Sequence, residues 1–366
     1  MIPLFDIKPK KSEIKQYLNL YKKNLLKADF IQGQQVKELE KALSNYTGIK
    51  YVQTCANGTD ALIVSLKALN LKKNSYVITT PFSWISTAHA IINSGLIPFF
   101  VDIKKDDFNL DIDEIKKAYQ KFNRKISCVL SVDIFGTPNN NHEIYNFCKS
   151  KHIKFIIDGA QSFGSKIFNR NNFQYCDIAT TSFFPTKPLG CFGDGGAIFS
   201  KNYNLYKKIR SYVFNGMAKK KSTFKIVGIN SRLDTVQAYI LLKKLKKLNI
   251  KISILKNNYK YYKMKLSKKY KLQKINDKFS SSYALTSLVL NSDRNKVLNL
   301  FKKNKINCGV YYGKLLSEQN SVRNFSKNFR TLNNAKFISK KIISIPNHIS
   351  LKRNELDRII QVLNSN

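Results

Sequence analysis

The sequence predicts an α/β protein in which a large domain, built on a mostly parallel sheet, precedes a smaller α+β domain. Short β-rich runs alternate with helix-length segments through the first two-thirds of the chain, as in a parallel sheet that helices cover on both faces. Near residue 235 this alternation gives way to a long, lysine-rich helical stretch. A length of 366 residues suits two domains. We therefore predict a large domain over residues 1–240 and a small domain over residues 241–366.

The elements of the large domain follow from its apolar runs and its turn residues. The predicted strands are short and bounded by turns, and they lie at residues 50–54, 76–80, 97–103, 126–134 and 154–160. The predicted helices fill the segments between them, at residues 35–46, 58–69, 83–95 and 141–151. Thr59 or Asp60 lies near the start of the second helix, where short polar side chains cap free backbone N–H groups.

The elements of the small domain are fewer and more mixed. The lysine-rich stretch from residue 235 to residue 270 predicts a helix that is bent or broken near residue 250. After it we predict strands and helices in the order strand 281–290, helix 294–303, strand 306–312, strand 343–348 and helix 353–364. Strands and helices in this mixture indicate an α+β domain.

The formal net charge of +41 allows two interpretations. A basic surface could bind nucleic acid, but only nine of the 64 basic residues are arginine, the side chain best suited to bidentate contacts with bases and phosphates. The lysines are spread along the chain, and Asn and Ile are also abundant, as in proteins encoded by adenine- and thymine-rich genes. We therefore predict no nucleic-acid partner. A general attraction for anionic substrates, such as a nucleotide diphosphate, fits the charge better.

Other classes of protein are disfavoured by what the sequence lacks. The six cysteines are scattered, no two of them have the spacing of a zinc knuckle or redox motif, and no two of the four histidines are spaced like ligands on one helix face. We predict no metal site. No apolar run approaches the roughly 20 residues of a membrane helix, and the first 15 residues do not resemble a secretory signal. We expect a cytoplasmic protein with no membrane partner.

Lys187 is the candidate catalytic residue. It lies in TTSFFPTKPLGCFGDGGAIFS (180–200), where a strand carrying hydroxyl groups leads into a turn with two prolines and then four glycines. Glycines allow the backbone to turn sharply and to approach a ligand closely. A single lysine in so lysine-rich a chain means little by itself, so the interpretation depends on the neighbouring motifs.

Three of those motifs lie at predicted strand ends. Asp158 ends the strand KFIID, and Gln161 follows it, at the position where open α/β sheets bind ligands, although Asp158 could equally cap a helix. Gly58 lies in the strand-to-helix turn CANGTDAL, and the free N–H groups of such a helix start attract phosphate. Trp84, the only tryptophan, follows a strand. A core position is its default interpretation, but its ring could instead stack on a planar cofactor.

Together these residues match the needs of pyridoxal 5'-phosphate (PLP) chemistry. The cofactor needs a lysine for covalent attachment and an acid that keeps its pyridine nitrogen protonated. It also needs a cradle for its phosphate and a group against the face of its ring. Lys187 and Asp158 can fill the first two positions, the Gly58–Thr59 turn with Ser182 can hold the phosphate, and Trp84 can cover the ring.

The same motifs, in the same order, resemble those of the DegT/DnrJ/EryC1/StrS sugar aminotransferases, which are PLP enzymes of fold type I. The resemblance covers nearly the whole chain, through FIQGQQVKELE, CANGTDAL, TPFSWISTA, VDIFG, IDGAQSFG, TSFFPTKPLGCFGDGGAIF, VGINSRLDTVQAYIL and SIPNH. It implies the fold of that family, with a large, mostly parallel sheet of the seven-stranded type. A branch of the family has histidine in place of the lysine and performs dehydration, so Lys187 favours transamination here.

The resemblance also implies roles for individual residues. Lys187 matches the lysine that binds PLP and moves the proton, Asp158 the partner of the pyridine nitrogen, and Gln161 a neighbour of the ring hydroxyl. The matching phosphate ligands are Gly58, Thr59 and Ser182, and Trp84 matches the aromatic residue on the ring. Asn230, in GINSRLD, matches an asparagine that reaches the phosphate from the neighbouring subunit, which implies a homodimer with shared active sites.

The implied substrates are L-glutamate as amino donor and a nucleotide-linked keto sugar as acceptor. The sequence looks most like enzymes that aminate C3 of UDP- or dTDP-linked 3-keto sugars in surface polysaccharide, including lipopolysaccharide, biosynthesis. Amination at C4, or a regulatory protein with a PLP fold, are the alternatives. Tyr311 and Tyr312 match a segment near the sugar, but Tyr311 replaces a usual histidine, and Gly313 and Leu315 replace prolines. Arg232 could bind a carboxylate, or it could be a structural ion-pair partner, which is the interpretation we favour.

Overall fold

A computed structural model describes residues 1–218 and 222–365 of the chain. Within those residues the α-helices are α1 (Lys11–Lys27), α2 (Gln34–Thr47), α3 (Gly58–Ala68), α4 (Ser86–Asn93), α5 (Ile112–Phe122), α6 (Asn141–Ser150), α7 (Tyr203–Val213), α8 (Thr235–Leu245), α9 (Leu248–Lys265), α10 (Arg294–Lys303), α11 (Asn320–Arg323), α12 (Asn333–Lys341) and α13 (Arg353–Asn364). None of these helices is long and apolar enough to cross a membrane.

Strands within the same residues form one large sheet and two small ones. They are β1 (Tyr51–Cys55), β2 (Tyr76–Thr79), β3 (Ile97–Phe100), β4 (Ile126–Val132), β5 (Lys154–Asp158), β6 (Lys166–Ile167), β7 (Arg170–Asn171), β8 (Ile178–Ser182), β9 (Gly196–Ser200), β10 (Lys271–Leu272), β11 (Phe279–Ser280), β12 (Thr286–Val289), β13 (Lys327–Asn328) and β14 (Ile342–Ile345). Single 3₁₀ turns lie at Ile134–Gly136, Asn172–Gln174 and Leu316–Glu318.

The large sheet has the strand order β1-β9-β8-β5-β4-β2-β3-β13 among the described residues. Its strands are parallel except for β9, which runs antiparallel to both β1 and β8. Seven of these strands lie within residues 51–200 and form the predicted mostly parallel seven-stranded sheet, which is confirmed. The eighth, β13, is a two-residue strand from the C-terminal part that adds to the edge beside β3.

Helices cover this sheet on both faces because its central strands are buried on both sides. The strand β4, for example, has every residue but one buried. One hydrophobic cluster joins the sheet to α3, α4 and α7, and a second joins it to α2, α5 and α8. Continuous apolar strands with two covered faces are what a parallel sheet requires. The layers therefore hold the strand ends, which carry the candidate site, in fixed positions.

The C-terminal part has its own hydrophobic cluster, formed by α9, α10, α13, β12 and β14. The N-terminal residue Ile2 also packs into this cluster, through a backbone bridge with Ile306. The helix α8 spans the predicted boundary at residue 240, and β13 returns to the large sheet. The division into residues 1–240 and 241–366 stays a prediction.

Two predicted elements of the small domain differ from the structure. The lysine-rich helix breaks at residues 246–247, close to the predicted residue 250. The predicted strand 306–312 is wrong, since that segment has only isolated bridges at Ile306 and Gly309. The side chain of Tyr311 folds back over Gly309, where an added Cβ would lie 2.5 Å from the ring. The segment therefore forms a loop with isolated bridges instead of a strand.

Candidate active site

The candidate residues converge because their motifs follow strands that point the same way. The strands β1, β2, β4, β5 and β8 all end at one edge of the large sheet. Asp158 is the last residue of β5 and Ser182 the last residue of β8. The turn after β1 leads directly into α3 at Gly58. Open α/β sheets bind ligands at this edge, as the sequence predicted.

Asp158 and Lys187 are both buried at this edge, near enough for the charge of each to influence the other. Asp158 is 6% exposed, and its Oδ1 accepts a hydrogen bond from the N–H of Ala160 at 3.1 Å. Its Oδ2 accepts one from the Thr87 hydroxyl at 3.3 Å. Burial raises the pKa of Asp158, whereas the Ala160 N–H, the Lys187 ammonium and the Thr87 hydroxyl counter that shift.

Lys187 experiences the complementary effect. Burial lowers the pKa of its ammonium, and the nearby Asp158 carboxylate opposes that shift. An amine whose pKa is lowered is unprotonated in a larger fraction of molecules near neutral pH, and the unprotonated form is the one that acts as nucleophile and base. The pair therefore places an amine of lowered pKa near a carboxylate whose two oxygens each accept a hydrogen bond.

Small residues and hydroxyl groups form a cradle beside this pair. The turn before α3 approaches the end of β8 so closely that a Cβ at Gly58 would lie 2.8 Å from the Cβ of Ser182. The Thr59 hydroxyl lies 2.8 Å from the hydroxyl of Ser86, at the start of α4. The first N–H groups of α3 have no partner within the helix, and the helix dipole adds positive charge there. Hydroxyls around such a helix start fit a phosphate group.

Gln161 connects the site to the C-terminal part. Its Oε1 accepts a hydrogen bond from the N–H of Phe135 at 2.6 Å, and its Nε2 donates to the Tyr312 hydroxyl at 3.0 Å. Burial raises the pKa of Tyr312 far above that of an exposed tyrosine. Tyr312 thus holds the side-chain amide of Gln161 in place. It also lies in the segment that is predicted to be near the sugar.

Trp84 and Tyr311 flank Tyr312. The ring of Trp84 is 60% exposed, so the default interpretation of a core tryptophan is wrong. Its centroid lies 6.4 Å from that of Tyr312. The ring of Tyr311 meets that of Tyr312 edge to face, with centroids 5.8 Å apart. The mouth of the site is therefore lined with aromatic rings, and an exposed ring remains free to cover a planar ligand.

The remaining predicted residues lie near the cradle without completing it. Asn230 is exposed, and its backbone bridges Phe214. The next residue, Ser231, accepts a hydrogen bond from the N–H of Ala56, just before the α3 turn. Arg232 is half-buried and makes none of the ion pairs found among residues 1–218 and 222–365, so the favoured ion-pair interpretation finds no partner there.

Sequence reasoning missed two hydroxyl groups of this site. Ser86 meets Thr59, and Thr87 donates to Asp158, yet both were interpreted only as part of a helix. Their position two and three residues after Trp84, at a helix start on the ligand-binding edge, is the signal that could have identified them. No group of three or more His, Cys, Asp or Glu side chains in the described chain is arranged to hold a metal ion.

Comparison with known proteins agrees with this geometry. The family model described as the DegT/DnrJ/EryC1/StrS aminotransferase family matches residues 11–364. The chain belongs to the DegT/DnrJ/EryC1/StrS aminotransferase family. The predicted family is thereby confirmed.

Three relatives of this DegT-family protein cover about two thirds of it. One is UDP-2-acetamido-2-deoxy-3-oxo-D-glucuronate aminotransferase of Pseudomonas aeruginosa, 37% identical over 67% of this chain and 67% of that protein. Another is UDP-N-acetyl-3-dehydro-alpha-D-glucosamine 3-aminotransferase of Acidithiobacillus ferrooxidans, 32% identical over 66% of this chain and 64% of that protein. A pleiotropic regulatory protein of Geobacillus stearothermophilus is 33% identical over 66% of this chain and 64% of that protein. The matches span about two thirds of each relative's own length.

Solved structures match the DegT-family chain over its whole length. A DegT DnrJ EryC1 StrS aminotransferase from Brucella abortus has a TM-score of 0.95 and 30% identity, covering 100% of this chain and 99% of that one. The NtdA protein from Bacillus subtilis, solved with the bound cofactor PMP, has a TM-score of 0.90 and 25% identity. It covers 99% of this chain and 84% of that one. The predicted fold is confirmed.

Proposed function

We propose that this DegT-family protein is a PLP-dependent aminotransferase that moves an amino group from L-glutamate to C3 of a UDP- or dTDP-linked keto sugar. The observation that carries the proposal is the Lys187–Asp158 pair beside the Gly58–Ser182 cradle. The names of the Pseudomonas aeruginosa and Acidithiobacillus ferrooxidans relatives support both the reaction and its position on the sugar. The bound PMP of NtdA supports the cofactor.

The chemistry of the residues at this edge suits the cofactor. Lys187 would hold it covalently through Nζ, and Asp158 would face its ring nitrogen. Gly58, Thr59 and Ser182 would hold its phosphate at the start of α3, where a side chain at residue 58 would collide with Ser182. When bound, PLP supplies an electron-withdrawing ring that stabilises negative charge next to the transferred nitrogen.

The chain's own groups would then control protons. In each half-reaction Lys187, with its lowered pKa, would carry at Nζ the proton that leaves or joins the amino-bearing carbon of the bound substrate. Asp158 would stay ionised when a protonated ring nitrogen faces it, because opposite charges at close range favour both charged forms. Thr87 and the Ala160 N–H hold its two oxygens in place for that contact. Gln161 would lie beside the ring hydroxyl, held by Phe135 and Tyr312.

Other parts of the proposal concern the assembly and its setting. We include a homodimer in which Asn230 of each subunit completes the phosphate site of the other, and a cytoplasmic role in surface polysaccharide or lipopolysaccharide biosynthesis. The exposed side chain of Asn230, beside the α3 turn, is compatible with contact across an interface. Tyr311, Tyr312 and Arg232 remain the proposed substrate residues.

The cofactor assignment is tested by absorbance. Purified protein with PLP should show the band of lysine-bound cofactor near the visible range, and L-glutamate should bleach it. The Lys187→Ala variant should lack that band, whereas Lys256→Ala, an exposed lysine on α9, should keep it. Persistence of the band in Lys187→Ala would refute the role of Lys187.

The acceptor is tested with glutamate-treated protein and four sugars, namely UDP- and dTDP-linked 3-keto and 4-keto hexoses. We expect an amino product at C3, identified by NMR, and restoration of the absorbance band. Amination at C4 alone would support the alternative regiochemistry. The relative named as a regulatory protein favours a second candidate, a sensor without turnover. Salt-sensitive binding to duplex DNA with no response to glutamate would support that candidate instead.

A further inference from the structure

Two lysine side chains donate hydrogen bonds to backbone carbonyls of the turn that carries Lys187. Lys251, on α9, donates from Nζ to the carbonyl of Pro188 at 2.8 Å and to the carbonyl of Lys187 itself at 3.3 Å. Lys244, on α8, donates to the carbonyl of Gly190 at 2.7 Å. The turn also closes on itself, since the Lys187 N–H donates to the carbonyl of Phe184 at 2.9 Å. The backbone that aims the reactive amine is therefore bound on two sides.

Lys251 occupies an unfavourable place for a cation. It lies on the wall of a cavity of about 340 Å³ between the N-terminal segment, the Lys187 turn and the C-terminal part. Burial, and then the charge of Lys244, lower the pKa of Lys251 to about 8. It takes part in none of the ion pairs of the described residues. A partly buried ammonium without a carboxylate partner costs stability, so its two carbonyl acceptors are what keep it there.

The choice of acceptors distinguishes Lys251 from an ordinary structural lysine. One of its two acceptors is the carbonyl of the residue whose side chain reacts, and the other belongs to the next residue. A charged donor makes stronger hydrogen bonds than a neutral one and fixes both peptide planes together. The two hydrogen bonds therefore hold the backbone from which the Lys187 side chain extends.

We infer that Lys251 is a positioning residue for Lys187, whose ammonium fixes the two carbonyls of the turn and thereby sets the direction of the reactive amine. The inference rests on the proposed function in taking Lys187 as the reacting group. Lys251 touches neither cofactor nor substrate in this role and acts only through the turn. Its loss should change the reactivity of Lys187 more than it changes the stability of the fold.

The test compares Lys251→Met with Lys251→Arg, which can still donate to both carbonyls, and with Lys256→Met, an exposed lysine on the same helix. Its first measurement needs no cofactor. The apo proteins are methylated with formaldehyde and cyanoborohydride, and the rate at Lys187 is followed by peptide mass spectrometry. We expect Lys251→Met to raise that rate by about threefold or more, because a loosened turn exposes the amine, and the other two variants to stay near wild type.

The second measurement is the rate at which PLP forms its lysine-bound absorbance band. We expect about a tenfold decrease in Lys251→Met and recovery in Lys251→Arg, with melting temperatures within a few degrees of wild type. An unchanged methylation rate at Lys187 in Lys251→Met overturns the inference. So does a large loss of melting temperature that Lys251→Arg does not restore. Altered methylation in proteins that never form the band would leave Lys251 as a positioning residue while rejecting the proposed function.

Discussion

At the residue scale, Asp158 shows how neighbouring groups influence whether a buried carboxyl group is ionised. Burial alone would favour its neutral form, but two hydrogen-bond donors and Lys187 favour the ionised form. A cationic group placed opposite would shift the balance further toward the carboxylate. The side chain is therefore prepared to stabilise a positive charge at one fixed point, which is the role that the proposed reaction gives it.

We expect Asp158→Asn to remove that stabilisation while keeping the shape of the side chain. The rate of the half-reaction with L-glutamate, followed by stopped-flow absorbance, should fall by about 10²-fold or more. Asp277→Asn, an exposed position near β11, serves as the matched control and should leave the rate unchanged. A half-reaction within threefold of wild type in Asp158→Asn would exclude the carboxylate from the reaction.

Tyr311 and Tyr312 offer a second test at this scale, because they are adjacent but differently bonded. The Tyr312 hydroxyl accepts a hydrogen bond from Gln161 Nε2, so Tyr312→Phe removes that acceptor and leaves the amide held only through its Oε1. We expect Tyr312→Phe to lower kcat by about tenfold and to shift the absorbance of bound PLP. Tyr311→Phe should raise only the KM for the sugar. Identical effects of the two changes would contradict the separate role of Tyr312.

The sequence predicts the residues of the site unevenly, and the reason is physical. Lys187, Asp158, Gly58 and Ser182 stand beside strand ends, and parallel strands bring their ends together whatever the details of packing. Lys251 could not be found in this way, since it is one lysine among many on a helix. Only tertiary packing brings it to the turn.

At the element scale, strands with continuous apolar runs were predictable and short edge elements were not. The segment at residues 126–134 predicts β4 well because burial on both faces requires an unbroken apolar run. β13 has only Lys327 and Asn328, both exposed, and no pattern of its own. It exists because the main chain passes the free edge of β3. Because β13 depends on pairing with β3, its own two residues carry no hydrophobic pattern that predicts a strand.

Asp133 allows a test at the scale of elements, because its side chain links the end of β4 to three later segments through hydrogen bonds. Its Oδ1 accepts from the N–H of Asn139 and the side chain of Asn141, and its Oδ2 accepts from Ser162 and Asn172. Asp133→Asn would turn an NH₂ group toward these donors. We expect the free energy of unfolding to fall by about 2–4 kcal/mol, measured by urea denaturation at pH 8.

The same residue should make stability depend on pH. Burial raises the pKa of Asp133 to about 6, although its four hydrogen bonds oppose the shift. Between about pH 4 and pH 6 the folded protein then holds a proton that the unfolded chain has released, so this group stabilises the fold more as the pH falls. The stability difference between wild type and Asp133→Asn should widen from pH 8 to pH 5. A difference that narrows would contradict the raised pKa.

At the scale of the whole molecule, the fold was predictable because the alternation of strands and helices extends through residues 51–200. Composition and hydrophobic periodicity could not predict whether a residue of the partner subunit completes each site. Contacts between subunits produce no regular hydrophobic pattern in the sequence. Only the resemblance of GINSRLD to its counterparts suggested that Asn230 crosses an interface. The exposure of Asn230 beside the α3 turn is compatible with that arrangement.

An experiment with mixed subunits tests whether Asn230 completes the site of the partner subunit. If each site combines Lys187 from one chain with Asn230 from the other, Lys187→Ala and Asn230→Ala homodimers are both deficient. A hybrid dimer then has one doubly altered site and one intact site. Refolding the two variants together in equal amounts should restore about a quarter of wild-type activity by random pairing of subunits. If both residues of a site come from the same chain, every site in the mixture carries one substitution, and the activity stays at the level of the separate variants.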